Sequence, residues 1–349
     1  MKIVTITDAW HPQVNGVVRT IEATNRELVK AGHTVAVIGP DQFAAFPCPG
    51  YAEIRLSLFP HGRLAQLLDA QLESERSVAF HVATEGPLGH AARRYCLARG
   101  LPFTTAYHTR FPQYLKAMFR VPEPWTYGFL RRFHGRASFV MAPTRTVEDE
   151  LRANGLDNVA RWTRGVDLDV FHPRDERVLA DLPRPLFLYV GRVSVEKNIQ
   201  AFLRLDLPGT KVVAGIGPAL ETLKQRFPEV HFVGVLGFTE LAQLYGSADV
   251  FVFPSLTDTF GLVMLEALAC GTPVAAFPVQ GPIDVVGGSG VAVLDDDLQK
   301  AALLAQRIDR AECRRYAERH SWRAATQQFL GLQQAIAKVP AERIVSRRA

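Results

Sequence analysis

The strongest constraint on the fold is a regular alternation of short apolar segments with helical segments, which runs along most of the chain. In the second half, the apolar runs Leu186–Gly191 and Asp249–Phe253 each precede a segment with helical periodicity. Short apolar strands that alternate with helices of about ten residues are typical of parallel sheets, whose strands are buried on both faces. The pattern therefore predicts an α/β protein built on parallel sheets.

The N-terminal residues form one complete unit of this pattern. Lys2–Thr7 and His33–Ile38 are predicted as strands, and the amphipathic segment Val17–Ala31 as a helix that ends at Gly32. A strand, a helix and a second strand open a doubly wound domain. The loop before the helix lacks the GxGxxG fingerprint of dinucleotide-binding proteins. Asn15-Gly16 in this loop would let backbone approach a ligand closely, although an ordinary tight turn explains it equally well.

The length of 349 residues suggests two domains. The strand–helix pattern stops at a polar, charged, Pro-bearing segment and restarts after it. We therefore predict four segments: a Rossmann-like N-terminal domain (1–173), a linker (174–184), a Rossmann-like C-terminal domain (185–320) and a final amphipathic helical segment (321–349).

Two local predictions are specific enough to compare with a structure. Phe43–Gly50, which is rich in Pro and Gly, is predicted as a loop. Helical periodicity in the C-terminal domain predicts helices near Asn198–Leu203, Ala219–Phe227, Phe238–Ser247, Phe260–Cys270 and Leu298–Arg307.

Composition excludes several classes of protein. No apolar run reaches the length of a membrane span. Strand character begins directly at the N-terminus, with Asp8 close behind, which does not fit a signal peptide and favours a cytoplasmic location. The cysteines at 48, 96, 270 and 313 are far apart, so neither a zinc site nor a disulfide framework is implied.

Positive charge is concentrated between Arg93 and Arg136, where nine Lys or Arg residues accompany one acid, Glu123. Aromatic residues are interleaved with these cations, at positions 111, 114, 119, 125, 127, 129 and 133. Such a stretch fits an interfacial membrane surface or single-stranded nucleic acid. It also fits a solvated face above core aromatics, and the sequence leaves these interpretations open.

Two cations follow a predicted strand of the C-terminal domain. Arg192 and Lys197 lie in the loop after Leu186–Gly191, and a guanidinium and an ammonium together can neutralise a diphosphate. Gly215 and Gly217 follow the next strand and would let a ligand approach the backbone.

A third feature lies between Pro254 and Val274. Asp258 stands in a polar turn, and a helical segment with apolar residues on every side contains one carboxylate, Glu266. A buried carboxylate is costly unless it is paired, so Glu266 is either part of a structural ion pair or faces a polar ligand at the start of the helix. The helix start offers amides around Phe260, Gly261, Leu262 and Val263 to an anion.

Histidine 108 follows the predicted strand Phe103–Tyr107 of the N-terminal domain. Ligands of open α/β sheets bind at the carboxyl ends of the strands, which makes His108 a candidate site residue. An ordinary hydrogen-bonded loop histidine is the alternative.

These motifs together resemble the GT-B retaining glycosyltransferases of family GT4, over essentially the whole chain. The resemblance is carried by Asn15-Gly16-Val17, His108, Gly191-Arg192 with Glu196-Lys197-Asn198, and Pro254-Ser255 through Glu266. The family's acid–seven residues–Glu motif usually begins with Glu, but here it begins with Asp258, one methylene shorter. The string Thr257-Asp258-Thr259-Phe260-Gly261 is similar to a subgroup of sulfoquinovosyl-, mannosyl- and glucuronosyl-type transferases that act on lipid acceptors. Gly86-Pro87-Leu88-Gly89 and His108-Thr109-Arg110-Phe111-Pro112 fit the same subgroup.

The resemblance implies a GT-B fold, with two Rossmann-like domains facing a cleft and a last helix that crosses back to the first domain. It implies that Arg192 and Lys197 hold the diphosphate of a sugar nucleotide, and that Glu266 binds the ribose. It further implies contacts of Asp258 and the Phe260–Val263 segment with sugar and phosphate, with Gly191, Gly215 and Gly217 lining the donor. Val235 and Leu236 would line the base, Gly16 would close over the phosphates, and His108 would lie near the transferred sugar. No metal cofactor is implied.

The function expected from these residues is transfer of a hexose-type sugar, with retention, from a nucleoside-diphosphate sugar to a membrane lipid such as diacylglycerol or a glycolipid. A UDP-sugar is favoured as donor, with GDP-mannose as the second choice. An anionic membrane surface is the expected partner, with a peripheral location on the inner face of the cytoplasmic membrane, and no nucleic acid. Two alternatives stay open: a soluble or polysaccharide-linked acceptor, and a nucleotide-sugar-binding protein without transferase activity.

Overall fold

The computed structural model describes residues 1–13, 15–48, 51–74, 77–110, 112–113, 116, 120–174, 176–258 and 260–337. Five residues named above, Gly50, Phe111, Tyr114, Phe119 and Thr259, lie outside these ranges, as does the end of the chain from residue 338. The chain divides into two compact units. The first comprises residues 1–163 together with the stretch from Trp322 onward, and the second comprises Arg164–Ser321.

The first unit is built on a parallel sheet of six strands in the order β2-β1-β5-β6-β7-β8. The strands of this unit, including a separate antiparallel hairpin of β3 with β4, are β1 (Lys2–Ile6), β2 (Thr34–Ile38), β3 (Ala45–Cys48), β4 (Tyr51–Ser57), β5 (Val78–Val82), β6 (Phe103–Ala106), β7 (Phe139–Ala142) and β8 (Val159–Arg161). Its helices are α1 (Gly16–Lys30), α2 (His61–Ser74), α3 (Pro87–Arg99), α4 (Glu123–His134), α5 (Arg145–Ala153) and α13 (Trp322–Ala337).

Strand β1 shows how the first sheet is covered on both faces. Because successive side chains of a strand point to opposite faces, Val4 and Ile6 join a core cluster with helices α2 and α3, whereas Ile3 joins a cluster with Phe329 of α13. The Phe329 ring packs at 4.9 Å from the Trp162 ring, and the buried Gln333 amide donates to Thr104 Oγ1 at 2.8 Å. Helix α13, although last in sequence, therefore completes the first unit.

The second unit repeats the architecture with a parallel sheet in the order β11-β10-β9-β12-β13-β14. Its strands are β9 (Leu186–Val190), β10 (Thr210–Ala214), β11 (His231–Gly234), β12 (Val250–Phe253), β13 (Val274–Ala276) and β14 (Ala292–Leu294). Its helices are α6 (Ile199–Leu203), α7 (Leu220–Arg226), α8 (Phe238–Ser247), α9 (Leu262–Ala269), α10 (Gln280–Val286), α11 (Leu298–Ala305) and α12 (Arg310–Glu318).

The central strand β9 is buried along its whole length. Leu188 and Val190 point into the cluster that contains α8, α9 and α12, while Phe187 and Tyr189 point into the cluster that contains α6 and α11. Burial on both faces explains why this strand has no charged residue. The prediction of an α/β protein with two parallel-sheet halves is confirmed.

The boundary between the units differs from the predicted linker. It lies between Thr163 and Arg164, ahead of the segment 174–184. That segment belongs to the second unit, because Val178, Leu179 and Leu182 pack against its core. The segment was predicted as a linker because most of its residues are polar, and its three apolar residues were not recognised as core residues.

Three local elements also differ from prediction. Phe43–Gly50 contains strand β3, which accommodates Pro47 because the hairpin lies outside the parallel sheet. Helix α10 was missed because Gly281-Pro282 suggests a turn, yet both residues lie in its first turn, where Pro is tolerated. Helix α12 was missed although Asp309 caps it by accepting from the Ala311 amide at 2.9 Å.

Candidate active site

The loop after β9 is shaped by a glycine and a tyrosine. Gly191 has φ +154°, and a Cβ there would lie 3.0 Å from the Tyr189 hydroxyl. That hydroxyl donates to the carbonyl oxygen of Arg192 at 2.7 Å. Tyr189 is itself buried in the core, so it fixes the backbone of the first predicted phosphate ligand. The Arg192 side chain is half-buried, with its Nε 3.9 Å from Glu196 Oε1.

Lysine 197 and Asp258 are in direct contact. Lys197 Nζ lies 2.5 Å from Asp258 Oδ1, although the two residues come from loops after different strands, β9 and β12. A second link joins the same loops, because Asn198 donates from Nδ2 to the Pro254 carbonyl at 3.0 Å. Asn198 adopts φ +52°, a left-handed conformation that Asn tolerates better than most residues. The two loops that carry the predicted donor ligands are thereby tied together.

The Lys197 contact sets the charge state of Asp258. Burial raises the pKa of this carboxyl group, whereas the neighbouring Lys197 ammonium lowers it. The lowering effects together are larger than the effect of burial, so the pKa lies below its ordinary value. Asp258 is therefore ionised at neutral pH. Its Oδ2 atom and the Ser255 hydroxyl are both buried, and the Ser255 hydroxyl also helps to lower the pKa of Asp258.

Two glycines bring backbone segments into contact at this edge of the sheet. A Cβ at Gly215, where φ is +138°, would lie 1.9 Å from the Gly191 carbonyl oxygen. A Cβ at Gly217 would lie 2.2 Å from the Val193 carbonyl oxygen. Neither position can accept a side chain without moving the loop that bears Arg192, so both glycines are explained by packing between loops.

Helix α9 begins without a side-chain cap. Gly261 occupies the N-cap position with φ +82°, and because it has no side chain it cannot cap the first amides. A Cβ on Gly261 would lie 2.8 Å from Met264 Cε and 3.0 Å from Phe253 Cζ, so glycine is also required sterically. Phe260 before it is buried, and Leu262 and Val263 are half-buried. Uncapped amides and the helix dipole favour an anion at such a position.

Glutamate 266 is buried within helix α9, with 6% of its surface exposed. Its Oε2 accepts a hydrogen bond from the Tyr245 hydroxyl of α8 at 3.1 Å. This neutral donor provides part of the compensation that a buried carboxylate needs.

Apolar side chains are exposed at the same edge of the sheet. Val235, directly after β11, is 63% exposed, and Ile216, after β10, is 57% exposed. Leu236 is half-buried against the core. An exposed aliphatic pair beside charged loops suits one face of a planar base.

The first unit contains the two remaining predicted residues. Gly16 is the first residue of α1, where Asn15 caps the helix by accepting from the amides of Val17 and Val18 at 2.9 and 3.1 Å. His108 lies two residues after β6 and is half-buried, with its ring 5.9 Å from that of Trp162 in an edge-to-face contact. His108 therefore stands just beyond the carboxyl end of β6, as predicted, and Gly16 begins the helix that follows β1.

Three residues at the second-unit edge were missed by sequence reasoning: Tyr189, Tyr245 and Gly281. A Cβ on Gly281 of α10 would lie 2.7 Å from the carbonyl oxygen of Asp258. Tyr245 and Tyr189 look like ordinary core aromatics in sequence, so only the hydroxyl contacts identify them. Within the described residues, no group of three His, Cys, Asp or Glu side chains could hold a metal ion.

The chemistry available at this edge is electrostatic. Two cations and the amides of a helix start can neutralise and orient a diphosphate. The carboxylates of Asp258 and Glu266 can accept hydrogen bonds from hydroxyl groups. Among the helices of the described ranges, none is long and apolar enough to cross a membrane.

Curated proteins are similar to this chain along most of its length. A sulfoquinovosyl transferase of Arabidopsis thaliana is 30% identical over 315 residues, a match that covers 81% of this chain and 60% of that protein. A GDP-mannose-dependent alpha-mannosyltransferase of Mycolicibacterium smegmatis is 28% identical, with 85% of this chain and 84% of that protein covered. An alpha-monoglucosyldiacylglycerol synthase of Streptococcus pneumoniae is 29% identical, with coverage of 79% and 71%. The chain thus spans about three-fifths of the first of these relatives and more of the other two.

Solved structures share the fold. The sucrose-phosphate synthase of Thermosynechococcus elongatus superimposes with a TM-score of 0.69 at 23% identity, covering 96% of both chains. Family models match both halves: "Glycosyltransferase Family 4" matches residues 14–170 and "Glycosyl transferases group 1" matches residues 184–311. With both of its parallel-sheet units matched in this way, the chain is a member of glycosyltransferase family 4.

Proposed function

We propose that this protein is a retaining glycosyltransferase that moves a hexose-type sugar from a nucleoside-diphosphate sugar to a hydroxyl group of a membrane lipid. The observation that carries the proposal is the contact of Lys197 with Asp258, which joins the loops after β9 and β12. The contact places an ammonium group and a carboxylate beside the uncapped start of α9. Both groups then face the part of a donor where the glycosidic bond breaks.

The donor roles follow from the charges. Arg192 and Lys197 bind the diphosphate and stabilise the negative charge that grows on it as the bond to the sugar breaks. The amides at Gly261, Leu262 and Val263 add hydrogen-bond donors to the same oxygens. Asp258 accepts from sugar hydroxyls while it orients Lys197, and Glu266 accepts from the ribose hydroxyls.

We propose that the configuration at the anomeric carbon is retained because the diphosphate leaves, and the acceptor hydroxyl attacks, on the same face of the sugar. Glycosyl transfer passes through an oxocarbenium-like transition state. The protein's task is then to stabilise the leaving diphosphate and to hold the acceptor hydroxyl close. The leaving phosphate oxygen, held by the two cations, is the group that takes the proton from the acceptor.

The lipid acceptor is supported by the name of one relative, which is a synthase of alpha-monoglucosyldiacylglycerol. The name of another relative specifies GDP-mannose as donor, whereas the sequence favours a UDP-sugar. We propose diacylglycerol or a glycolipid as acceptor and test both donors. A protein with this acceptor works at the surface of a bilayer, and we place it peripherally on the inner face of the cytoplasmic membrane.

The reaction needs no metal in this proposal. Enzymes that bind diphosphates through Mg²⁺ supply the positive charge with the ion, but here Arg192 and Lys197 supply it. The pairing of Asp258 with Lys197 also occupies the acidic group that would otherwise serve as a metal ligand.

A transfer assay tests the proposal directly. The full chain is incubated with UDP-glucose, UDP-galactose or GDP-mannose and with vesicles that contain diacylglycerol, and products are identified by mass spectrometry. We expect one donor to give a glycosyl lipid whose anomeric configuration, measured by NMR, equals that of the donor. Transfer to soluble sugars with none to lipid would overturn the lipid acceptor, and absence of both transfer and donor hydrolysis would favour a binding protein.

A further inference from the structure

Glutamate 150 lies on helix α5, outside every segment assigned to the donor, and its carboxylate accepts hydrogen bonds from three side chains. Its Oε2 accepts from Arg110 Nη2 at 2.5 Å, in an ion pair whose two side chains are each 14% exposed. Its Oε1 accepts from Gln113 Nε2 at 2.7 Å and from the Tyr127 hydroxyl at 2.5 Å. Both oxygens of this carboxylate are therefore engaged by groups from other parts of the first unit.

Two of the three donors belong to the segment that follows His108. Arg110 and Gln113 lie two and five residues after His108 in the sequence. On the other side of His108 the chain is held by the sheet, because the Tyr107 amide donates to a backbone carbonyl of β7 at 2.9 Å. His108 thus lies between a residue that the sheet fixes and a residue that Glu150 fixes.

The strand order explains why α5 reaches this segment. Strands β6 and β7 are parallel neighbours, so the segment after β6 and the helix after β7 begin at the same edge of the sheet. Glu150 lies between one and two turns into α5, which begins at Arg145. The Tyr127 side chain comes from α4, the helix between the two strands. Three parts of the first unit therefore meet at one carboxylate.

The protonation states of these groups match their hydrogen bonds. An ionised carboxylate only accepts hydrogen bonds, and a guanidinium group only donates them. Burial raises the pKa of Tyr127, and the hydrogen bond to Glu150 raises it further, so the hydroxyl stays protonated and donates at neutral pH. Because the Arg110–Glu150 pair is largely withdrawn from solvent, loss of either partner leaves the other charge uncompensated. These contacts define the position of the segment after His108.

Stability alone accounts poorly for this cluster. The Tyr107 hydroxyl, Arg110 Nε and Gln113 Oε1 are buried, and none of them has a hydrogen-bond partner among the residues that the structure describes. A buried polar atom without a partner costs free energy, and a network that serves only stability is expected to pair its atoms. The cluster therefore holds a segment in place at a cost in stability.

We propose that Glu150 is a positioning residue for the sugar transfer: through Arg110 and Gln113 it fixes the segment that begins with His108. The inference rests on the proposed function for the role of His108, which the family resemblance places beside the transferred sugar. Glu150 acts through the other residues and touches neither donor nor acceptor. Its loss is then expected to disturb the geometry of transfer and to leave the affinity for the donor unchanged.

Two glutamates of the same helix provide a matched test. Glu148 is 12% exposed and forms ion pairs with Arg152 at 2.5 Å and Arg161 at 2.6 Å, neither of which belongs to the segment after His108. Glu150→Gln and Glu148→Gln therefore remove the same charge from similarly buried positions. The full-length variants are compared by steady-state kinetics with donor and lipid vesicles, by urea unfolding, and by the Tm shift that UDP or GDP produces.

We expect kcat for transfer to fall about 10- to 100-fold in Glu150→Gln, the effect of misplacing a group in the site by up to about 1 Å. The donor KM and the nucleotide-induced Tm shift should stay unchanged, because the donor is assigned to the second unit. Glu148→Gln should keep the kcat of the wild type even where it loses as much stability in urea. Equal kcat in the two variants, or an effect of Glu150→Gln on donor KM alone, would overturn the positioning role.

An NMR measurement decides the same question without turnover. The imidazole signal of His108 is followed in histidine-labelled protein and is identified by its loss in His108→Gln. Glu150→Gln should shift or broaden this signal, and Glu148→Gln should leave it in place. Gln113→Ala removes one hydrogen bond without unpairing a charge, so it should fold and give a smaller shift even where Glu150→Gln does not fold. An unchanged His108 signal in Gln113→Ala and Glu150→Gln would overturn the inference, whereas a wild type that transfers no sugar would overturn the proposed function alone.

Discussion

The Lys197 ammonium lies 2.5 Å from the Asp258 carboxylate, and this contact joins two loops that are separated by more than sixty residues of chain. Both residues were assigned to the donor on sequence grounds, one to the phosphates and the other to the sugar. The structure adds that they act on each other. In the proposed reaction Asp258 therefore has two roles: it binds the donor, and it positions the Lys197 ammonium.

Replacement of Lys197 by Ala should therefore damage donor binding in two ways. It removes a cation from the diphosphate, and it leaves Asp258 as a partly buried carboxylate without its partner. We expect kcat/KM to fall by about 100-fold or more, the usual effect of removing one electrostatic donor to a developing charge. Steady-state kinetics measure this, with Lys224→Ala as the control because Lys224 is exposed and pairs only weakly with Glu221 at 3.4 Å. A Lys197→Ala enzyme within threefold of wild type would contradict the assignment.

The same pair makes stability depend on pH. Because the pKa of Asp258 is lower in the folded chain than in the unfolded chain, its ionisation stabilises the fold at neutral pH. That contribution is fully present above the unfolded-chain pKa of about 3.9, and it is lost as the pH falls through the folded-state value.

Urea unfolding of the wild type and Asp258→Asn at a series of pH values checks this dependence. We expect the variant to be about 1–2 kcal/mol less stable at pH 7, between the values typical of exposed and buried pairs. The difference should shrink in acid, where the wild-type carboxyl becomes protonated. A difference that stays constant down to the lowest pH at which the chain folds would show that the charge of Asp258 does not stabilise it.

Glycine 281 of α10 lies in close contact with the backbone of Asp258. Substitution by Ala would place a Cβ 2.7 Å from the Asp258 carbonyl oxygen, so the loop must shift. We expect Gly281→Ala to raise the KM for the donor about tenfold, since displacement of a positioned ligand by a fraction of an ångström is costly. Gly331→Ala is the matched control, because nothing lies within 4 Å of a Cβ at that site in α13. If both variants have the same KM for the donor, Gly281 does not position the Asp258 loop for donor binding.

Transfer should not depend on divalent metal. With Arg192 and Lys197 as the counterions of the diphosphate, the rate in excess EDTA should stay within about twofold of the rate in Mg²⁺. The assay is run on protein dialysed against chelator, with each donor. Loss of activity that Mg²⁺ or Mn²⁺ restores would contradict this part of the proposal.

The sequence predicted the sheets well because each depends on local patterns. Apolar runs such as Leu186–Val190 are buried on both faces, and only a parallel sheet offers that environment to a short strand. The family resemblance is likewise confirmed by the models that match both halves. Boundaries were predicted less well, because the segment 174–184 packs through three apolar residues that are diluted by charged neighbours.

Contacts within the candidate site could not be read from the sequence. The Arg192 and Lys197 positions follow from their place after a strand, but the pairing of Lys197 with Asp258 depends on how two loops meet. The same holds for Tyr245, whose hydroxyl reaches Glu266 from another helix. Residue type and spacing place a side chain at an edge of the sheet, whereas its partner is decided by tertiary packing.

The role of Glu266 carries the central claim that the second unit binds a sugar nucleotide. Thermal unfolding with UDP, GDP and ADP tests it on wild type, Glu266→Gln and Tyr245→Phe, because a ligand that binds only the folded state raises Tm. We predict that UDP or GDP at about 100 times its Kd stabilises the wild type by about 2.7 kcal/mol. Glu266→Gln should lose most of that shift while its own Tm stays close to wild type, and Tyr245→Phe should keep most of it. A Glu266→Gln protein that is more stable than wild type and binds nucleotide with full affinity would contradict the account.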